Sequence, residues 1–598
     1  MSSASGNLTY TQMLESCHSK KQQLIRNSRY FSVGRFSSFI IIISFVISAI
    51  SLNVLWWAPV IMMLTIFILL VILHEKLGRK QKFNEACIKA LEHELEAAKG
   101  QYTSFDGGVE FDNPAHQYST DLDIFGDHSV FQALNRTATI SGKQMLANWL
   151  REPLTNKLEI IARQGAVKEL AGLPEWRIHL QAHGMVAQEE KKDLENLLEW
   201  LSVKPMFNAG FFKVARILIP LASFIMVTIL ATDFISMQLF LIYLILPLSI
   251  TGYYTKRINH RHMMLTKKVE LLSLYAIRFR MIESGVFTSE FMKGLSGKLK
   301  SGNQLASIVI KHLGRITSSL DTRLNLLAGF ILNIFLLWDV RQMMLLEQWQ
   351  VMHKQNLPIW FEALSQTEAI ASMSGFSAAN PGFVFPEIST DIFQIKANKA
   401  GHPLIPKEQR IDNDIQLTNK GHFNIVTGAN MAGKSTYLRT IGVNMVLALS
   451  GAPVCAKAFI CYPAPVFTSL RTTDSLSTNQ SYFYAELMKL KELIDRLGRG
   501  EQLFILLDEI LKGTNSVDKQ AGSKALLSQL IGLKAAGFIA THDLELGSLE
   551  KTFPDEVINY HFEAEIAGDE LHFDYKLKPG IARNMNATFL MQRMGITI

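Results

Sequence analysis

The sequence predicts a multidomain chain of α plus α/β class: a largely helical body carrying two apolar helical hairpins, then a C-terminal α/β domain. Three observations predict it. The runs 36–73 and 217–252 hold a single charged residue between them, Asp233. The segment around them, 110–380, reads as helical. Beyond 386, short apolar β-like runs end in glycine, carboxylate or histidine, the pattern of buried parallel strands feeding a ligand edge.

In chain order, 1–35 is a polar leader, too long and too polar to open a cleaved signal peptide. The run 36–73 is about twice the length that one membrane span needs. It breaks at Asn53 and at Trp56-Trp57 before Pro59, so it is read as a transmembrane hairpin with spans at 36–54 and 57–73. Residues 74–109 form an amphipathic helical linker rich in Glu and Lys, and 110–212 the first part of a helical core. A second transmembrane hairpin occupies 213–254, with spans at 216–232 and 235–252 and a break at Ala231-Thr232-Asp233. The core, or lever, resumes over 255–385. There the apolar stretch 326–338 is interrupted by Asn333 and too short to span, and is read as a core helix. Asn380-Pro381-Gly382 and Pro386 mark the boundary before the α/β domain, 386–598.

Of the 598 residues 48% are hydrophobic and 19% charged, apolar for a soluble protein of this size. A buried helix of a soluble bundle would show a polar stripe, and the central spans have none. The cations agree with two hairpins. Lys20, Lys21, Arg26, Arg29 and Arg35 precede the first, and Lys76, Arg79, Lys80 and Lys82 follow it. Lys204, Lys213 and Arg216 precede the second, and Lys256, Arg257 and Arg261 follow. The hairpin tips carry none, so both termini and the α/β domain are expected on the cytoplasmic side of an inner or plasma membrane, as a multi-pass protein. Part of the net charge of +7 therefore belongs to membrane flanks rather than to a polyanion footprint. Cys17, Cys87, Cys455 and Cys461 form no zinc motif and are read as reduced thiols. The cluster Lys293, Lys298, Lys300, Lys311 and Arg315 could touch phosphates or be a solvated helix face.

The chemistry lies in the last third. Phe423-Asn424-Ile425-Val426 leads into Thr427-Gly428-Ala429-Asn430-Met431-Ala432-Gly433-Lys434-Ser435-Thr436 and then a helical stretch from Tyr437, the strand, loop and helix order of a phosphate-binding loop. Gly428 and Gly433 let successive N–H groups of the loop turn toward phosphates, with Ala429, Asn430, Met431, Ala432 and Thr436 completing the cradle. Lys434 would reach the β- and γ-phosphates of ATP, and the Ser435 hydroxyl would ligate Mg²⁺. The apolar run 503–507 ends in Asp508, placed to bind Mg²⁺, and Glu509, placed to polarise the attacking water. A third run, 537–541, delivers His542 to the same edge.

These residues resemble one family within the wider class of nucleotide hydrolases, the MutS mismatch-repair ATPases. The loop carries that family's Asn-Met pair, with Ala429 and Ala432 where Pro and Gly are usual. Asp508-Glu509-Ile510-Leu511-Lys512-Gly513-Thr514 is similar to its Asp-Glu-(Ile/Leu)-Gly-Arg-Gly-Thr, departing at Leu511 and Lys512; Ala540-Thr541-His542-Asp543-Leu544-Glu545-Leu546 is similar to Ala-Thr-His-x-x-Glu-Leu. Ser481, Phe483 and Glu486 fall in a segment, 473–487, that resembles the family's signature loop, which implies that Ser481 acts in trans on a partner's γ-phosphate. Leu122-Asp123-Ile124-Phe125-Gly126, Leu134-Asn135-Arg136-Thr137 and Gly401-His402-Pro403-Leu404 extend the resemblance upstream.

The resemblance implies a homodimer with composite ATP sites, duplex DNA as partner, and ATP binding and hydrolysis switching a clamp in mismatch-repair-like or recombination-related DNA maintenance. It departs from the family at the N-terminus, where hairpin stands in place of a mismatch-reading domain; Phe83-Asn84-Glu85 fits that domain's letters by coincidence. A small clamp insertion and no dimerisation segment after Gly595 are also expected. The alternative is an ABC-type membrane ATPase acting in transport, since Leu476-Ser477-Thr478-Asn479-Gln480 echoes an exporter signature, or as an ATP-switched scaffold with a protein partner. Against an exporter, this segment follows the phosphate loop too soon, and four spans without a polar pathway are few.

Overall fold

The computed structural model describes residues 2–51, 56–187, 189–207, 209–265, 269–301, 304–429, 431–471, 482–567 and 570–582. Its first two helices, Ser2–Ser51 and Trp57–Ala97, pack side by side as a hairpin. No proline interrupts either beyond its first turn, so the helix runs unbroken through the expected boundaries at 35 and 74. Those boundaries mark a change of chemistry along one rod. Toward the tip the side chains Phe36, Ile40, Ile50 and Ile61 face outward. At the other end Tyr10, Cys87, Leu91, Ile178 and Ala182 form a small core, and Asn84 Nδ2 donates to the Cys17 carbonyl at 2.8 Å. Phe83 stacks on His183 with ring centroids 4.1 Å apart, so it is engaged within the protein, as the coincidental reading of Phe83-Asn84-Glu85 requires.

The second hairpin comprises Gly210–Ala231 and Met237–Leu265, with Pro220 and Pro247 inside its helices. Among the described residues, four helices are long and apolar enough to cross a membrane: these two and the first pair.

Between and after the hairpins lies the helical body. Its axis is the helix Asn356–Ala379, buried along most of its length and packed on Ile140–Arg151 and Lys157–Ala171. Thr139 and Asn156 cap those two helices through their side-chain oxygens. Two buried ion pairs lie across this body: Arg136 Nε to Glu94 at 3.1 Å, and Arg278 to Glu368. The first joins the body to the first hairpin. Gly375 is required beside it, since a Cβ there would come 2.7 Å from Arg136 Nε.

One expectation fails here. The stretch 326–338 is not a core helix. It forms a helix, Leu326–Leu336, sharply bent from Ala306–Leu324, whose Leu326, Leu327, Phe330 and Ile331 are exposed. Apolar composition announced burial in protein, but the bend turns this face away from the body.

The α/β domain holds a six-stranded sheet in the order Lys578–Pro579, Val557–His561, Phe423–Thr427, Ala536–Thr541, Phe504–Asp508, Val466–Ser469. All neighbours pair in parallel except the first, antiparallel pair. The central strands Phe423–Thr427, Phe504–Asp508 and Ala536–Thr541 are buried throughout, as their unbroken apolar sequences predict. A second, four-stranded sheet has the order Glu387–Ile388, Ala458–Cys461, Gln394–Ala400, Asn413–Thr418. The helix Lys434–Ser450 packs against the larger sheet and also touches the two capped helices of the body.

Candidate functional site

Register decides which residues meet. Thr427 pairs with Thr541, and Ala540 with Asp508, so the loops after three parallel strands leave the sheet at one level. The segment expected to be a phosphate loop, Asp508-Glu509 and His542 are those three loops.

Gly433, at φ 102°, ends the loop and opens the helix Lys434–Ser450. A side chain on Gly428, at φ 150°, would press within 2.6 Å of the Phe562 carbonyl, so both positions need glycine. Lys434 Nζ donates to the loop carbonyls of Gly428 at 2.7 Å and Ala429 at 2.9 Å. Burial lowers the Lys434 ammonium from its ordinary pKa, against the pull of Glu509 and Asp508. Ser435 Oγ donates to Asp508 Oδ2. Burial raises the Asp508 carboxyl, and its Oδ1 is buried without a hydrogen-bond partner among the described residues. A carboxylate with an orphaned oxygen beside a hydroxyl fits a Mg²⁺ that takes its other ligands from phosphates and water, since Mg²⁺ is usually held by one or two protein groups.

Glu509 adopts φ 48°, strained for a non-glycine residue, and its N–H donates to the Ala540 carbonyl at 2.9 Å. Its carboxylate lies 3.3 Å from His542 Nδ1 and 3.6 Å from Lys512 Nζ. Burial would push this carboxyl up, but Lys512, His542 and Lys434 together outweigh it and hold it below the ordinary Glu value. The ionised form of the carboxyl is thereby favoured.

Lys434, Ser435, Thr436 and Glu509 border one end of a cleft of about 420 Å³, a size suited to a nucleotide. Arg410, Ile411, Tyr437, Phe562 and Tyr575 line the remainder. Apart from Tyr437, which follows the loop, none of these had a sequence signal, because the cleft joins segments more than 160 residues apart that only the fold brings together. Asn413 illustrates the assembly: its amide donates to the Tyr575 carbonyl at 2.9 Å and accepts from Leu577 N–H at 2.9 Å, positioning Tyr575 over the loop.

Of the residues expected at the site, Gly428, Ala429, Gly433, Lys434, Ser435, Thr436, Asp508, Glu509 and His542 come together. Ala432 is buried beneath the loop, while Met431 is 80% exposed on the cleft's lip. Asn430 and Ser481 lie outside the described residues. The helix that follows Ser481, Tyr482–Gly498, is tied to the site from behind. Glu486 is buried and accepts from Leu511 N–H at 2.6 Å, and Gly513 admits Phe483 where a Cβ would come within 2.7 Å. Leu511 holds φ 58°. On the other flank, buried Asp121 of the helical body accepts from Thr468 Oγ1 at 2.6 Å, Arg471 N–H at 2.9 Å and Lys489 Nζ at 3.0 Å. It therefore anchors the strand end from which the 472–481 segment departs.

Comparison with known proteins identifies both halves. Residues 424–591 match MutS domain V, and residues 115–286 match MutS domain III. The second hairpin lies inside the domain III match. The DNA mismatch repair protein MutS of Aquifex pyrophilus is 33% identical over 226 residues, 37% of this chain and 26% of that protein. MutS of Thermotoga maritima is 30% identical over 233 residues, 38% and 29% of the two chains. MutS protein homolog 4 of Homo sapiens is 32% identical over 214 residues, 34% and 22%. The matched region is thus less than a third of each relative's length.

Proposed function

The chain belongs to the MutS family, whose domains III and V it carries over more than half its length, and on that basis we propose that it is a membrane-anchored, ATP-hydrolysing, DNA-binding switch. One observation carries the reading: Lys434, the Ser435–Asp508 pair and the Glu509–His542 pair converge at one sheet edge, beside a nucleotide-sized cleft.

In this reading Lys434 exchanges the Gly428 and Ala429 carbonyls for β- and γ-phosphate oxygens, which offset its desolvation far better. Ser435 and Asp508 hold Mg²⁺, whose chemistry is to neutralise charge on the transferred phosphoryl. Glu509 takes the proton of the attacking water, and His542 orients Glu509. Tyr575 and Phe562 offer aromatic walls to the base. Ser481 of a partner subunit completes the γ-phosphate shell, so hydrolysis requires a homodimer. ATP then biases the helical body between two arrangements around duplex DNA, by binding one more tightly than the other.

Four helices, each with a largely exposed stretch long and apolar enough to cross a membrane, support membrane attachment; water would disfavour so large an apolar surface. The cations flanking both hairpins support a cytoplasmic α/β domain in an inner or plasma membrane. The service performed is mismatch-repair-like or recombination-related DNA maintenance.

A salt-titrated binding assay of the detergent-solubilised protein with homoduplex, mismatched and branched DNA, with and without ATP, tests this. We expect binding that weakens steeply with salt and shifts with ATP. No affinity for any of the three would leave an ATP-switched scaffold or transport role in its place.

A further inference from the structure

Resting on the membrane reading above, we propose that the helix Leu326–Leu336 is a third membrane element: a re-entrant half-helix that seats its apolar face among the acyl chains of the cytoplasmic leaflet.

Its surface is the first argument. Leu326 is 88% exposed, Leu327 71%, Phe330 54% and Ile331 46%, positions that recur on one helical face. The lone polar side chain within the helix, Asn333, is buried toward its C-terminal end, next to buried Ile334. It donates to the Gly329 carbonyl at 2.9 Å and accepts from Asp339 N–H at 3.0 Å. The outward face therefore presents carbon only, and the backbone hydrogen bonds are made within the helix, as a lipid environment demands.

Continuity with the second hairpin is the second argument. The helix packs on both Gly210–Ala231 and Met237–Leu265. Ser223 Oγ, buried, lies 3.4 Å from the Ile334 carbonyl and 2.7 Å from Tyr243 Oη. Ser223 follows Arg216, the last cation before the apolar part of its helix. At ~1.5 Å of rise per residue it lies about 10 Å beyond that cation. The end of the short helix thus reaches the level of the spans' apolar zone.

Length and connectivity fix the mode of insertion. Eleven residues extend roughly 16 Å, about half the hydrocarbon thickness. The flanking helices, Ala306–Asp321 and Trp338–His353, pack on each other in the body, so the chain returns to the side it left. The elbow is built for this. Ala306–Leu324 and Leu326–Leu336 meet at 110°. Gly329 crosses the Arg323 backbone where a Cβ would come within 2.8 Å of its carbonyl oxygen, and the Arg323 to Asp339 pair at 3.0 Å closes the base. The lever would then rest on the leaflet at a second place besides the hairpin roots.

Single cysteines at Phe330, at Ile225 in the second hairpin and at Val517 on the α/β domain test this, with the unsubstituted protein as background. In proteoliposomes, a membrane-impermeant maleimide should label Phe330→Cys at least about tenfold more slowly than Val517→Cys, because the reagent is excluded from hydrocarbon. A bimane placed at Phe330→Cys by a permeant reagent should be quenched by lipids carrying a shallow acyl-chain nitroxide. If Ile225→Cys is protected but Phe330→Cys labels freely, the re-entrant helix is wrong while the membrane reading stands. Protection of Phe330→Cys without lipid quenching also overturns it, in favour of a protein contact. If Ile225→Cys and Phe330→Cys both label freely, the membrane reading itself falls.

Discussion

Lys512 stands 3.6 Å from Glu509, and its charge does more than that of His542 or Lys434 to hold this carboxyl low. A lowered folded pKa keeps the base ionised as pH falls through the ordinary Glu range. Lys512→Ala should therefore move the acid limb of the ATPase pH profile to higher pH, as read from kcat against pH; an unmoved limb would separate Lys512 from the base. Glu509→Gln should retain nucleotide binding and lose turnover by a factor of roughly 100 or more, as expected for a general base. Normal hydrolysis by that variant would reassign the proton acceptor. Lys434→Ala should abolish ATP binding, measured by a fluorescent nucleotide analogue, because the loop N–H groups alone lack the countercharge.

Among elements, the joint between the first hairpin and the helical body rests on Arg136 and Glu94, whose side chains are 3% and 2% exposed. Removing one partner leaves the other charge buried and unpaired, so Glu94→Ala should cost about 3 to 5 kcal/mol. Thermal unfolding in detergent checks this, with the α/β domain expected to melt as before if the two parts unfold separately. The helix Tyr482–Gly498 is a second joint. Its Glu486 accepts from the N–H of strained Leu511, two residues after Glu509. This links the helix Tyr482–Gly498 to the turn after Glu509, a link that neither motif revealed by itself. Its two ends are 25 residues apart in sequence, with the strand Phe504–Asp508 between them.

For the whole molecule, the reading requires detergent for extraction and an ATP-dependent dimer. Ser481→Ala and Lys434→Ala should each be inactive alone and regain partial ATPase on mixing, because one composite site in each mixed dimer has both groups. No recovery under conditions that exchange subunits would argue for sites confined to one chain. The hairpin within the domain III match also means that the second apolar hairpin and the helical body are parts of one helical unit, not a domain and a detachable tail.

The sequence alone determined what depends on neighbours along the chain. A loop of this kind needs glycines at fixed offsets between a strand and a helix, and a long apolar helix needs an uncharged run, so both were legible residue by residue. Asp508, Glu509 and His542 were legible too, since a buried parallel strand announces the edge at which it ends. Only the tertiary structure decided which distant groups meet: Tyr575 and Arg410 around the cleft, Glu486 on Leu511, Asp121 beneath Thr468. It also overruled the reading of 326–338, because apolar composition specifies that a face is disfavoured in water but not that the chain's own core will cover it. That choice was made by a bend at Asn325 and by where the second hairpin stands, geometry that is set by packing across the molecule and has no local code.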